Sequence, residues 1–312
     1  MLTRRHIRVK VMQSLYSLAR NDVNNMSAEK KFLNKSMTDM YDMFLLNLSL
    51  LIEVKNQAVD FIERSRSKYL PTAEDINPNL NFVNNKVLKQ IENSEEFNDL
   101  LEKKKLHNWF REPGYVQMIW NDLRKSEVYK NYTSKTEASF SEDKKFLIDF
   151  FKEFIAPNQK IHEYYEDHKL TWMDDLPIVN TAIVRTLERF KKKAAFRLPR
   201  LFKNEEDREF AFSLFQRTLM YEADFKQDIE KKTLNWDQDR LAEIDAILLK
   251  MALCEFSYFP TIPVKVTINE YLEISKEYST PKSSVFINGV LDKISKEYQQ
   301  TGKMNKSGRG LR

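Results

Sequence analysis

The stretch Val264-Lys-Val-Thr-Ile-Asn-Glu-Tyr-Leu-Glu-Ile-Ser-Lys276, followed by Ser283-Ser-Val-Phe-Ile-Asn-Gly-Val-Leu-Asp292, reads as two short helices. Thr267 stands three residues before Glu270, the spacing of a capping box, in which hydroxyl and carboxylate each bond a free backbone N–H at a helix start. Pro281 and the Ser283-Ser284 pair reset the chain for the second helix. On that helix either Phe286, Val290 and Ile294 or Ile287, Leu291 and Ile294 recur at helical spacing and bury one side. Gly289 lies inside it, at a cost of roughly 1 kcal/mol relative to Ala, which a close approach by a neighbouring helix or a ligand would explain.

Outward from this segment the chain keeps a helical composition. Of its 312 residues only five are glycine, and four of these fall at or after Gly289. With nine prolines and much Lys, Glu, Leu and Phe, the sequence predicts helices joined by short connections. No run approaches the ~20 apolar residues that span a bilayer, and the first residues lack the apolar core of a secretory signal. The single cysteine, Cys254, sits in the apolar run Met251-Ala-Leu-Cys-Glu-Phe256, which points to packing in a reducing compartment. The expectation is a cytoplasmic protein without membrane attachment. Fifty-one Lys and Arg against forty-six Asp and Glu give +5, too small an excess to imply nucleic acid by itself, so placement matters more. The basic residues concentrate in the first ten positions, in 189–203 and in the tail 303–312.

Sliding the sequence by 64 residues aligns Glu142-Asp143 on Glu206-Asp207, Phe146 on Phe210, Phe151 on Phe215 and Ala182-Ile183 on Ala246-Ile247. The same shift places Leu170 on Leu234, Trp172 on Trp236 and Asp175 on Asp239. Two copies of one helical unit, 142–205 and 206–269, are the reading. Helices are expected over about 3–20, 35–68, 84–105, 115–130, 143–168, 177–194, 206–232 and 238–257. Residues 75–81 form a linker, and two prolines three apart exclude helix from 257–263. The tail has almost nothing to bury and is expected to be disordered.

Enzyme motifs are missing from the sequence. His162 and His168 are six apart, about 240° round a helix, and cannot chelate one ion from regular helix. No glycine-rich phosphate loop or Gly-x-Ser-x-Gly elbow occurs, so neither a metal, a cofactor nor catalysis is expected. The amino end is more informative. On a helix Arg4, Arg5 and Arg8 fall within about 100° of one another, and the same azimuth turns apolar through Val11, Met12, Leu15 and Ala19. Arginines there pair with phosphates or stack on bases, although cations at a helix N-terminus oppose its dipole by about 0.3–1 kcal/mol each. A ligand contact and a solvated, frayed end both fit this pattern. The run 189–203 reads as a solvated helix end more readily than as an RNA contact.

The run Ile268-Asn-Glu…Glu273…Lys276…Ser283…Phe286-Ile-Asn-Gly-Val-Leu-Asp292 resembles the C-terminal signature of the NusB family of bacterial transcription antitermination factors. Arg4-Arg5-His6-Ile7-Arg8 with Gln13-Ser-Leu-Tyr-Ser17 is similar to the family's start. The resemblance covers about 1–20 and 206–298, and the residues between are an insertion relative to the family. His6 departs from the pattern, where a third arginine is common. The resemblance implies an all-α, NusB-like helical bundle extended by inserted helical units: an arginine-rich helix 1–20, an inserted region 21–141, a repeat copy 142–205, a core 206–300 and the tail 301–312. It further implies non-catalytic binding of single-stranded boxA-type RNA, together with the ribosomal protein also called NusE. The RNA polymerase elongation complex is the implied destination, in support of ribosomal RNA transcription. The RNA-contacting residues it implies are Arg4, Arg5, Arg8, Tyr16, Ser283, Ser284, Phe286 and Asn288. NusB-like domains also precede RNA cytosine methyltransferases, and a purely structural helical scaffold is a further alternative. The lone Cys254 in its apolar run speaks against the former.

Overall fold

A computed structural model describes residues 1–20, 25–233, 242–304, 306 and 307, and among these the chain is helical without strands. Helices α1 (Arg4–Arg20) and α2 (Met26–Arg66) open the chain. Short helices follow: α3 (Ala73–Ile76), α4 (Lys86–Glu92), α5 (Glu95–Lys104), α6 (Asn108–Arg111), α7 (Pro113–Leu123) and α8 (Glu127–Thr133). Next are α9 (Phe140–Phe150), α10 (Gln159–His168), α11 (Leu176–Arg189), α12 (Glu205–Met220) and α13 (Glu222–Glu230). The described chain closes with α14 (Glu243–Tyr258), α15 (Val264–Tyr278) and α16 (Ser283–Gln300). Two compact units emerge: a terminal unit of Leu2–Met37 with Phe202–Arg312, and a central unit of Thr38–Leu201 with Met1.

In the terminal unit α14 is the central element. Ile247, Leu248, Leu249, Met251, Ala252, Leu253, Cys254 and Phe256 are all buried, the pattern of a helix surrounded by others. Helices α1, α12, α13, α15 and α16 pack on it. Burial pushes the Cys254 thiol up to about 12, as expected of an inert packing residue. On α16 the buried face is Ile287, Val290, Leu291 and Ile294, so Phe286 lies at its margin, half-buried.

The Thr267–Glu270 capping box does not form. Pro263, with φ −62°, takes the cap position four residues before Thr267, and the Thr267 N–H already bonds the Pro263 carbonyl at 3.1 Å. The boxes that do form are Thr72–Asp75 on α3 and Ser139–Glu142 on α9. Residues 303, 304, 306 and 307 also differ from the expected disordered tail. Gly302 takes φ +70° beyond α16, a reversal that glycine permits. Lys303 then bonds Asp228 at 2.8 Å, and Met304 is buried. Lys306 Nζ donates to the Glu255 and Phe259 carbonyls at 2.7 and 3.0 Å, at the C-terminus of α14, where the helix dipole favours a cation. Burial there pushes its amine down to about 8.

The central unit is built on α2 from Thr38 onward, whose Met40, Met43, Phe44, Leu46, Leu50, Leu51 and Val54 are buried. Its helices are shorter than the sequence expectation because polar caps interrupt them. Ser94 caps α5, Ser126 caps α8 and Asn158 caps α10, while Phe151–Ile155 is a π-helical turn after α9. An aromatic cluster of Phe82, Trp120, Tyr129, Tyr132, Phe146 and Phe150 fills the interior. Shifted by 64 residues, α9 with its π turn falls on α12, α10 on α13 and most of α11 on α14. Asp143 and Asp207, Phe146 and Phe210, Phe151 and Phe215, and Ile183 and Ile247 are buried at both positions. Leu234, Trp236 and Asp239 lie outside the described residues.

Candidate nucleic-acid interface

Helix α1 has no acidic residue in its first turn, yet Arg4, Arg5 and Arg8 crowd its first five residues. Thr3 and His6 close the helix start reciprocally: the His6 N–H donates to Thr3 Oγ1 and the Thr3 N–H to His6 Nδ1. That bond gives His6 a local role where the family pattern has arginine. The missing negative charge comes from other helices. Arg4 Nε donates to Asp207 of α12 at 2.9 Å, and Arg5 makes a two-pronged pair with Glu270 of α15 at 2.8 and 3.1 Å. Arg4 and Arg5 remain 38% and 43% exposed, so both still face solvent after pairing. They border a cavity of about 540 Å³ lined also by Thr261, Ile262, Pro263 and Val266.

Arg8 is different. Its side chain is 2% exposed and Glu255 is fully buried. Nε and Nη2 donate to the two Glu255 oxygens at 2.6 and 2.9 Å, and Nη1 reaches Glu270 at 3.4 Å. Glu255 accepts further bonds from Thr267 Oγ1 at 3.1 Å and the Tyr271 hydroxyl at 2.8 Å. Burial alone would lower the guanidinium pKa, but the Glu255 carboxylate holds it above its ordinary value. The geometry makes Arg8 a pin between α1, α14 and α15 rather than a solvent-facing contact.

At the other end of α1, Arg20 pairs with Glu243 at 2.7 Å. The partners Arg8–Glu255 and Arg20–Glu243 run in opposite order, so α1 and α14 are antiparallel, with ion pairs about 18 Å apart along the axis. Tyr16 is half-buried there, with the Arg20 guanidinium 5.4 Å from its ring centre. The start of α16 joins this same end of α14. Asp245 accepts from Ser283 Oγ and Ser279 Oγ, both at 2.6 Å. Ser283 is thus buried in a structural knot, whereas Ser284 and Phe286 are half-buried and Asn288 is exposed. Among the described residues no atom beyond its own helix backbone and chain neighbours comes within 4 Å of where a Gly289 Cβ would sit, so no described helix makes the expected close approach. Of the eight residues expected at one site, Arg8 and Ser283 are buried in bonds between helices, Arg4 and Arg5 lie at one end of α1, Tyr16 lies toward its other end, and Ser284, Phe286 and Asn288 lie near the start of α16.

Sequence reasoning missed the acidic half of this arrangement, Asp207, Asp245, Glu255 and Glu270. One signal was available: Glu255 interrupts an apolar run, and a buried carboxylate needs a cation and hydrogen-bond donors.

The NusB family profile matches residues 180–296, from within α11 to near the end of α16. A Salinibacter ruber protein named transcription antitermination protein NusB is 43% identical over 118 residues, which are 38% of this chain and 73% of that relative. The chain belongs to the NusB family. Proteins of the same name from Chloroherpeton thalassium and Koribacter versatilis are 41% identical over 104 residues and 42% over 93. Those matches cover 33% and 30% of this chain and 49% and 64% of the relatives. A solved T. maritima NusB structure is 25% identical, with 46% of this chain and 85% of that chain covered at a TM-score of 0.30. The chain is longer than its NusB relatives, and the greater part of the central unit lies outside the family match.

Proposed function

We propose that this NusB-family chain binds single-stranded RNA of the boxA type in transcription antitermination, without catalysis. Its partners would be the ribosomal protein also called NusE and the elongating RNA polymerase, and its setting ribosomal RNA transcription. Family membership, through relatives named transcription antitermination proteins, is the observation that carries this reading. The geometry supports it in a specific form. Arg4 and Arg5 supply phosphate contacts at one end of α1, with N–H groups left over after pairing. Tyr16, about 18 Å from Arg4 along the helix, together with Ser284, Phe286 and Asn288 near the start of α16, supplies stacking and base-edge contacts. Asp207 and Glu270 hold the two arginines in place while leaving both guanidinium groups partly open to water.

Filter binding of a boxA-containing single strand, with and without NusE, tests the reading. Each phosphate contact on a single strand contributes about 0.7 to the log–log salt slope, so Arg4→Ala with Arg5→Ala should flatten it by about 1.4. The helical circular dichroism should persist. An unchanged slope would remove this end of α1 from the RNA site.

A further inference from the structure

Residues 189–200 of the central unit, Arg-Phe-Lys-Lys-Lys-Ala-Ala-Phe-Arg-Leu-Pro-Arg, carry six cations and no carboxylate. All six are exposed, and among the described residues none is ion-paired. Elsewhere in the same unit lysines find partners, as in Lys86–Glu137, Lys104–Asp42 and Lys130–Glu127. Arg189 ends α11 and is favoured there by the helix dipole. The other five lie beyond the helix, where that explanation fails and their mutual repulsion opposes folding.

The segment is nonetheless anchored. Phe190 and Leu198 are buried, and Phe190 stacks on Phe196 with ring centres 4.8 Å apart. Between them lies a cavity of about 570 Å³ lined by Arg189, Lys191, Phe196, Arg197 and Pro199, within the size range of small-ligand sites. Shifted by 64 residues, Arg197-Leu198-Pro199 falls on Thr261-Ile262-Pro263, which line the cavity beside Arg4 and Arg5 in the terminal unit. There the positive charge comes from α1; here the segment supplies its own.

We propose that residues 189–200 form a second, sequence-independent binding site for the phosphate backbone of RNA. The proposal rests on the reading of the protein as an RNA binder but not on the α1 site. RNA is favoured over other polyanions by what the segment lacks. None of its large apolar side chains is among the exposed ones, so it offers no desolvated centre for a protein interface and nothing to insert into a lipid surface. Cations held on an anchored backbone around an open cavity are the elements of phosphate contact.

The test uses the full chain, a labelled boxA-type single strand and an unrelated single strand of equal length. The variant K191Q/K192Q/K193Q/R197Q should weaken both strands equally and reduce the salt slope by about 1.4–2.8, for two to four lost contacts. Bound RNA should also protect Lys191, Lys192 and Lys193 of the unaltered protein from acylation, a readout independent of how the variant folds. Unchanged affinity and slope, or no protection, with R4A/R5A still impaired, would overturn this site and leave the α1 site standing. Impairment by the glutamine variant alone would support this site and remove the other. Displacement of RNA by a poly-glutamate peptide of matched charge, as readily as by RNA, would overturn RNA as its ligand. Failure of the unaltered protein to bind either strand would overturn both.

Discussion

Replacing Glu255 with Ala should destabilise the protein by about 3–5 kcal/mol, because it leaves Arg8 charged and buried without its partner. Arg8 has no route to solvent at 2% exposure, and Thr267 and Tyr271 lose their acceptor in the same step. Glu270, 3.4 Å from Arg8 Nη1, is already paired with Arg5 and compensates in part. Burial holds the Tyr271 hydroxyl protonated, so it cannot supply a replacement negative charge. Arg8→Met should be milder than Arg8→Ala, since it keeps volume between the Phe210 and Tyr271 rings. The pair Arg8→Met with Glu255→Leu should recover much of the loss, as buried ion pairs often exchange for apolar groups at little net cost. Urea melts of the four variants check this. Glu255→Ala within about 1 kcal/mol of the unaltered protein would show that the buried pair does not pin α1 to α14.

Trp172→Ala should cost the central unit a further large amount, about 3–5 kcal/mol. Trp172 is among the largest fully buried side chains. Its ring meets Tyr165 edge to face at 5.4 Å, and Lys169 lies 4.7 Å from its centre. Its Nε1–H donates to the Asp39 carbonyl on α2 at 2.8 Å, while Lys169 pairs with the Asp39 carboxylate at the same distance. The substitution therefore opens a cavity and releases the α10–α11 connection from α2. Trp172→Phe keeps most of the volume and should lose only about 0.5–1.5 kcal/mol, the net worth of one hydrogen bond. Equal losses for Ala and Phe would assign the effect to the Asp39 bond rather than to packing.

What the sequence conveyed followed from periodicity and family pattern. The extent of α1 was readable, and so was the alternative face Ile287, Leu291 and Ile294 on α16, because both depend on local spacing. The burial of Arg8 was not readable. Its partner lies 247 residues away, and an arginine on the same azimuth as Arg4 and Arg5 looks identical to them until α14 and α15 close over it. The Thr267–Glu270 spacing matched a capping box, yet Pro263 starts the helix earlier, and both side chains are used between helices. In the central unit the helices were placed but drawn too long, since Ser94, Ser126 and Asn158 stop them at points where the apolar pattern continues.

Among the proposed RNA contacts, Phe286 is decisive. It is half-buried at the margin of the α16 face, beside the open surface at Gly289. Titration of a boxA-type single strand against Phe286→Ala, paired with a urea melt of the same variant, is the most direct test. RNA affinity should fall by about 1–3 kcal/mol, the worth of one base–aromatic stack, while the melt shifts little. A stability loss of about 3–5 kcal/mol with normal affinity in the folded fraction would place Phe286 in the core and contradict an RNA surface at the start of α16.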